Sequence, residues 1–233
     1  MKSKKLQEKL LIHFPFKPTK EQNQLLKDLS EYITTLGSKS IFLLKGYAGT
    51  GKTTIVSALV KSLPILGKRS VLIAPTGRAA KVLAKYSKKA ASTIHRKIYW
   101  IRTNKNGNTY ITLKENTHSN TVFIVDEASM IPESSDKGFG NRSLLDDLIN
   151  YVNDGVDCKL ILIGDTAQLP PVHLDISPAL DEEFLEQNYN KSITSKELTQ
   201  VVRQKEDSEI LKNATALRNK ISKEDFSYPK LKT

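Results

Sequence analysis

Acid is missing from the middle of this sequence: between Glu31 and Glu115 there is not one Asp or Glu. Those 83 residues hold 16 Lys or Arg, a local charge of +16 inside a net charge of +11, so the rest of the chain carries −5. An acid-free basic block of this length reads as a surface for nucleic acid. The plainer alternative is a solvated basic face. Cysteine is scarce too. Cys158 is alone, which excludes an internal disulfide and a cysteine-rich zinc site. Apolar runs such as Ile41–Leu44 end after a few residues, whereas a membrane-spanning helix needs about 20. The opening MKSKKLQEKLLIHFPF has a basic end, but Glu8 and Lys9 interrupt its apolar stretch. No small-residue cleavage site follows, as a secretory signal would require. A soluble, cytoplasmic chain with no membrane partner is expected. What is present suits a packed core: 39% hydrophobic residues in a chain of 233, enough for one large domain.

Four short apolar runs have the character of buried parallel strands: 41–45, 71–74, 122–126 and 160–164. Helical patterns lie at about 19–35, 52–63, 78–88, 143–153 and 207–221. Strands alternating with helices predict an α/β fold with a doubly wound, mainly parallel sheet. In such sheets ligands gather at the carboxyl ends of the strands, where Gly46, Pro75, Asp126, Glu127 and Asp165 all fall. Residues 98–114 break the alternation. β-Formers flank Asn106-Gly107, which predicts an inserted β-hairpin with a loop longer than two residues. Residues 133–142 form a polar, Gly-containing loop, and the last dozen residues look like a frayed end or a truncated boundary after about 221.

The strongest chemical signal is GYAGTGKT at 46–53, followed by Thr54. It fits G-x-x-x-x-G-K-[ST] between a strand and a helix, the context of a P-loop. Backbone N–H groups around Gly46, Ala48, Gly49, Thr50 and Gly51 can curl about phosphate oxygens. Lys52 reaches the β- and γ-phosphates of ATP, Thr53 supplies a hydroxyl to Mg²⁺, and Thr54 closes the nucleotide set. VFIVDEAS at 122–129 delivers Asp126 for Mg²⁺ and Glu127 to polarise the attacking water. LILIGDTAQLPPV at 160–172 then supplies Gln168, an amide able to sense a γ-phosphate, with Asp165 to orient it.

These blocks, in this order, resemble the first motor domain of superfamily-1 DNA helicases of the RecD-like branch, RecD being the alpha chain of exodeoxyribonuclease V. TKEQ at 19–22 resembles that family's Q motif, in which Gln22 would read the adenine edge. APTGRAAKVL at 74–83 resembles motif Ia, STIHR at 92–96 the short motif after it, DEAS motif II and GDTAQLPP motif III. LTQVVRQ at 198–204 resembles the motif whose arginine, here Arg203, touches the γ-phosphate. The resemblance implies a RecA-like P-loop NTPase over residues 1–221, with 98–114 as a duplex-splitting pin. It also implies single-stranded DNA, or a junction with duplex, as the substrate, and 5′-to-3′ movement. Helicase–nuclease partner subunits and work in DNA repair or recombination would follow.

The residue chemistry agrees. Pro75, Thr76, Gly77 and Arg78 stand at a helix start, where free N–H groups favour a phosphodiester, and Thr93 and His95 are further candidates for backbone contact. Duller readings exist for several residues: Gln22 as a helix-surface glutamine, His95 as a packed residue, Arg203 as an ion-pair partner. Only 30 residues follow Arg203, too few for a second RecA-like sheet. These residues are therefore expected to bind nucleotide and DNA, hydrolyse feebly and separate no strands unaided. Two other classes stay open: a different P-loop enzyme, such as a nucleotide kinase or a non-helicase ATPase, and a non-catalytic DNA-binding subunit.

Overall fold

The computed structural model describes residues 1–37, 40–103, 109–132, 143–168 and 177–202, with isolated positions between 213 and 228. Six parallel strands form the central sheet: β1 (Ser40–Gly46), β2 (Arg69–Ala74), β3 (Ala91–Thr93), β6 (Thr121–Val125), β7 (Lys159–Gly164) and β8 (Ser192–Leu198). Their order is β3-β2-β6-β7-β1-β8. The sheet is buried on both faces, which is why its four inner strands read as unbroken apolar runs. Alternation sends Phe42, Leu44, Leu72, Ile124, Ile161 and Ile163 to one face. There they meet α1 (Lys2–His13), α2 (Lys20–Thr34), α3 (Lys52–Ser62) and α4 (Gly77–Ser87). Ile41, Leu43, Ile73, Phe123, Val125 and Leu162 face α5 (Ile94–Ile98), α6 (Leu144–Asn153) and α7 (Glu182–Tyr189) on the other.

The connections set the site. After β1 the chain crosses β7 and β6 to reach β2, whereas after β7 it crosses β1 to reach β8. The chain thus leaves two adjacent strands in opposite directions, and a crevice opens at their carboxyl ends. Helix starts are fixed there by capping side chains. Thr19 and Gln22 form a reciprocal capping box on α2, and the Thr76 and Thr93 hydroxyls accept from Ala79 N and Arg96 N.

Three α-helices (α1, α5 and α7) and two strands (β3 and β8) lie outside the sequence reading. Helix α1 was not anticipated; it buries Leu6 and Leu10 fully against α2 and α3. The two sheet edges, β3 and β8, were also missed: β3 is three residues long, and β8 (SITSKEL) is mostly polar and half-buried. The helix expected at 207–221 and the loop at 133–142 lie outside the described residues, single positions aside.

The inserted hairpin is present as β4 (Tyr99–Thr103) and β5 (Thr109–Leu113), an antiparallel pair whose register runs from Tyr99↔Leu113 to Thr103↔Thr109. Its tip, 104–108, lies outside the described residues. Strand alternation divides its aromatics. Tyr99 is buried and donates to Asp147 Oδ2 at 2.7 Å, while Trp100 is 55% exposed beneath the Lys114 ammonium, 4.4 Å from its ring centroid. Among the described residues no helix is long and apolar enough to cross a membrane.

Candidate active site

A cavity of about 780 Å³ occupies the crevice at the carboxyl end of β1, a size suited to a small-molecule ligand. Its floor is the loop from Tyr47 to Thr53. Gly49 and Gly51 both take left-handed conformations, φ 84° and 98°. A Cβ on Gly51 would stand 2.6 Å from Gln22 Nε2, so this glycine is required by its φ and by its neighbour alike. Lys52, first residue of α3, donates to the carbonyls of Gly46 and Tyr47. Gly46, Ala48, Thr50 and Thr54 belong to the same loop and helix start, and Ala48, Thr53 and Thr54 line the cavity.

Gln22 lines the cavity as well, and is 4% exposed. Its Nε2 donates to Thr50 O at 2.9 Å, and its Oε1 accepts from Thr19 N at 3.1 Å. The amide therefore clamps the phosphate loop to α2, a structural task that the sequence reading did not assign to it.

The acidic pair closes one wall. Asp126 and Glu127 follow β6 and line the same cavity as Lys52. Asp126 Oδ2 accepts from the Tyr86 hydroxyl at 2.5 Å, and Oδ1 accepts from Glu127 N at 3.0 Å. Burial and the Asp126 charge push the Tyr86 phenol far up. Glu127 sits at φ 57°, a left-handed conformation that is uncommon for a residue with a side chain and frequent at functional sites. Burial and the Asp126 charge raise its carboxyl above the usual range, against the pull of Lys52 and a hydrogen bond from the Gln168 side chain. Gln168 thus reaches Glu127 from the turn after β7. Asp165, 3% exposed, shapes that turn: its Oδ1 accepts from Ala167 N and its carbonyl from Gln168 N.

Thr53 and Asp126 suit Mg²⁺, which takes one or two protein oxygens and completes its shell with phosphates and water. Arg203 lies outside the described residues. Its predecessor Val202 lines the cavity and donates to Gly49 O at 2.9 Å. Glu21 fastens this segment, accepting from Thr199 N, Thr199 Oγ1 and Gln200 N. Burial pushes the Glu21 carboxyl up, but those three donors outweigh it and hold it below its ordinary value.

The candidate nucleic-acid residues converge on a second corner. Strand β2 pairs with β3 so that Ala74 lies beside Thr93. Pro75–Arg78 and Thr93–His95 are therefore neighbours at the carboxyl edge, each opening a helix. Arg78, Lys81 and Lys85 lie exposed on α4. His95 is half-buried, its ring 5.7 Å from that of Tyr99, and burial lowers its pKa.

Five side chains at the cavity were not singled out from the sequence: Phe14, Phe16 and Lys17 ahead of α2, and Val82 and Tyr86 on α4. The Q-motif resemblance pointed to the neighbourhood of the first three, and Val82 falls within the 74–83 block. Nothing local marks Tyr86.

Residues 19–228 match a family model described as an AAA domain. The ATP-dependent RecD2 DNA helicase of Deinococcus radiodurans is 31% identical over 155 residues, covering 66% of this chain and 19% of that protein. The ATP-dependent DNA helicase dda of Enterobacteria phage T4 is 32% identical over 179 residues, covering 76% of this chain and 37% of that protein. The chain thus spans well under half the length of either relative. Among solved structures, the Pif1 helicase from Bacteroides in complex with ADP-AlF3 and ssDNA superposes with a TM-score of 0.53. That match covers 88% of this chain and 47% of the other at 21% identity, a likeness of fold.

Proposed function

The chain belongs to the AAA domain family, as a motor domain of the superfamily-1, RecD-like kind, and on that premise we propose that it is the first motor domain of an ATP-dependent, 5′-to-3′ DNA helicase. One observation carries the reading: Lys52, Thr53, Asp126, Glu127 and Gln168, from the ends of three parallel strands, surround a single cavity beside a basic corner. Lys52 neutralises charge on the β- and γ-phosphates. Mg²⁺, when bound by Thr53 and Asp126, offsets further phosphate charge. The Glu127 carboxylate accepts the proton of the attacking water, and Gln168, which lines the same cavity, senses the γ-phosphate. Gln22 meets the adenine edge with what its clamping role leaves free, and Arg203 approaches the γ-phosphate.

Single-stranded DNA crosses Pro75–Arg78 and Thr93–His95, and the hairpin acts as a pin at a junction. The cleft is completed by a second RecA-like domain beyond these residues, whose arginine raises turnover on the order of 10³–10⁵. Cytoplasmic work in DNA repair or recombination with helicase–nuclease subunits is supported by the resemblance to RecD alone. The test is a titration of fluorescent oligothymidylate across salt concentrations, with phosphate release measured alongside. A few phosphate contacts give a slope of log affinity against log salt of roughly −2 to −4. A slope near zero, with hydrolysis indifferent to DNA, would favour a non-helicase P-loop enzyme instead.

A further inference from the structure

Asp126 is attached at two points to the elements that flank the proposed DNA corner. Its backbone N–H donates to Ile73 O of β2 at 3.0 Å, and its Oδ2 accepts from the Tyr86 hydroxyl of α4 at 2.5 Å. Strand β2 leads into Pro75–Thr76, and α4 leads out of it. Helix α4 is short and well anchored. Ala80, Leu83 and Ser87 are buried, and the Ser87 hydroxyl donates back to Leu83 O. From Gly77 to Tyr86 is about 14 Å along the axis, so one rigid element has its first turn at the DNA corner and its last at the carboxylate. The other carboxylate oxygen is held by Glu127 N. Two donors thus fix the rotamer of Asp126, and each oxygen keeps lone-pair capacity for a metal or its water.

We infer that Tyr86 is a positioning residue that ties the DNA-facing helix to the magnesium carboxylate, so that DNA held at the start of α4 sets the geometry in which Asp126 receives Mg²⁺. The inference rests on the reading of Asp126 and of the α4 start given under Proposed function. It is separate from the Gln168 route, because Tyr86 reaches Asp126 from α4 and Gln168 reaches Glu127 from β7. A group that oriented a metal ligand from outside would alter metal affinity by roughly 10-fold or more when removed. Through linkage, whatever DNA gains from bound Mg–nucleotide, Mg–nucleotide gains from DNA.

Tyr86→Phe removes the hydroxyl and keeps the ring. The wild-type chain and this variant are titrated with a fluorescent ATP analogue in EDTA, in Mg²⁺, and in Mg²⁺ with oligothymidylate. The wild type should bind the Mg–nucleotide more tightly when DNA is present. The variant should match it in EDTA, need roughly 10-fold more Mg²⁺ for half-saturation, and lose most of the gain from DNA. Equal Mg²⁺ requirement in the two proteins overturns the positioning role. A raised requirement with the DNA gain intact overturns the tie to α4. A lowered requirement means that the hydroxyl obstructs the metal, and weaker binding in EDTA means a merely structural residue; either contradicts the inference. A wild type that takes up no Mg–nucleotide is distinguishable from all of these, since it overturns the reading of the site as well.

Discussion

The nucleotide cavity and the nucleic-acid corner stand side by side and are built on opposite plans. In the cavity each decisive side chain is already held. Gln22 is clamped to Thr50, Lys52 to two loop carbonyls, and Asp126 by Tyr86 and by Glu127 N. At the corner, the caps Thr76 and Thr93 organise backbone N–H groups, while Arg78, Lys81 and Lys85 project into solvent. A preorganised site concentrates its effect in single residues. A solvated, acid-free surface spreads it over many. Substitutions should therefore be drastic and specific in one region and graded in the other.

The largest contrast is expected at Glu127. Glu127→Gln should retain nucleotide and lower hydrolysis by about 10²–10⁴, measured as phosphate release in a protein that includes the second domain. The same change should stabilise the fold. The carboxyl is raised, first by burial and then by Asp126, so its favourable contribution is full below the ordinary carboxylate range and is lost as pH rises through the raised value. At neutral pH the ionised form is a burden that Gln removes. Tm should rise by about 2 °C, and the gain should vanish in acid. A fall in Tm at pH 7 would mean that the charge is needed for the wall of the cavity.

A smaller effect is expected at the hairpin. Deleting 104–108 in a complete helicase should reduce unwinding several-fold while leaving DNA-stimulated hydrolysis nearly unchanged. Equal loss of both would make the hairpin part of the motor core. Arg78→Ala should weaken oligothymidylate binding only modestly and flatten the salt slope by about 0.7, alike for every sequence tested. Loss of all binding would mean that the corner is as concentrated as the cavity. The smallest change concerns stability alone. Glu21→Gln weakens the fastening of Thr199 and Gln200 to α2, at about 1 kcal/mol, so Tm should drop by about 2–4 °C. The folded carboxyl lies below its ordinary value, so the contribution is present above the ordinary value and fades as pH falls through the lowered one. The Tm difference should therefore close in acid.

The contrast also explains what could be read from the chain. The four inner strands were legible because burial on both faces leaves no polar position to break an apolar run. Edge strands β3 and β8 carry water on one side, and SITSKEL resembles a loop for that reason. The phosphate loop and acidic pair were legible because their geometry is local: a strand, a turn and a few residues. Tyr86 was not. It stands among lysines, 40 residues from Asp126, and meets it only because β2 and β6 are neighbours in the sheet. Gln22 was found, but its clamp on Thr50 depends on how α2 lies against the loop. Arg203 and the hairpin tip, both named from the sequence, lie outside the described residues.

The central claim is that the cavity above β1 takes ATP with Mg²⁺ through the phosphate loop. Calorimetric titration of wild type and Lys52→Ala with a slowly hydrolysed ATP analogue, in Mg²⁺ and in EDTA, tests it most directly. Wild type should bind in a Mg²⁺-dependent manner and Lys52→Ala should show no measurable affinity; equal binding by the two proteins would contradict the account.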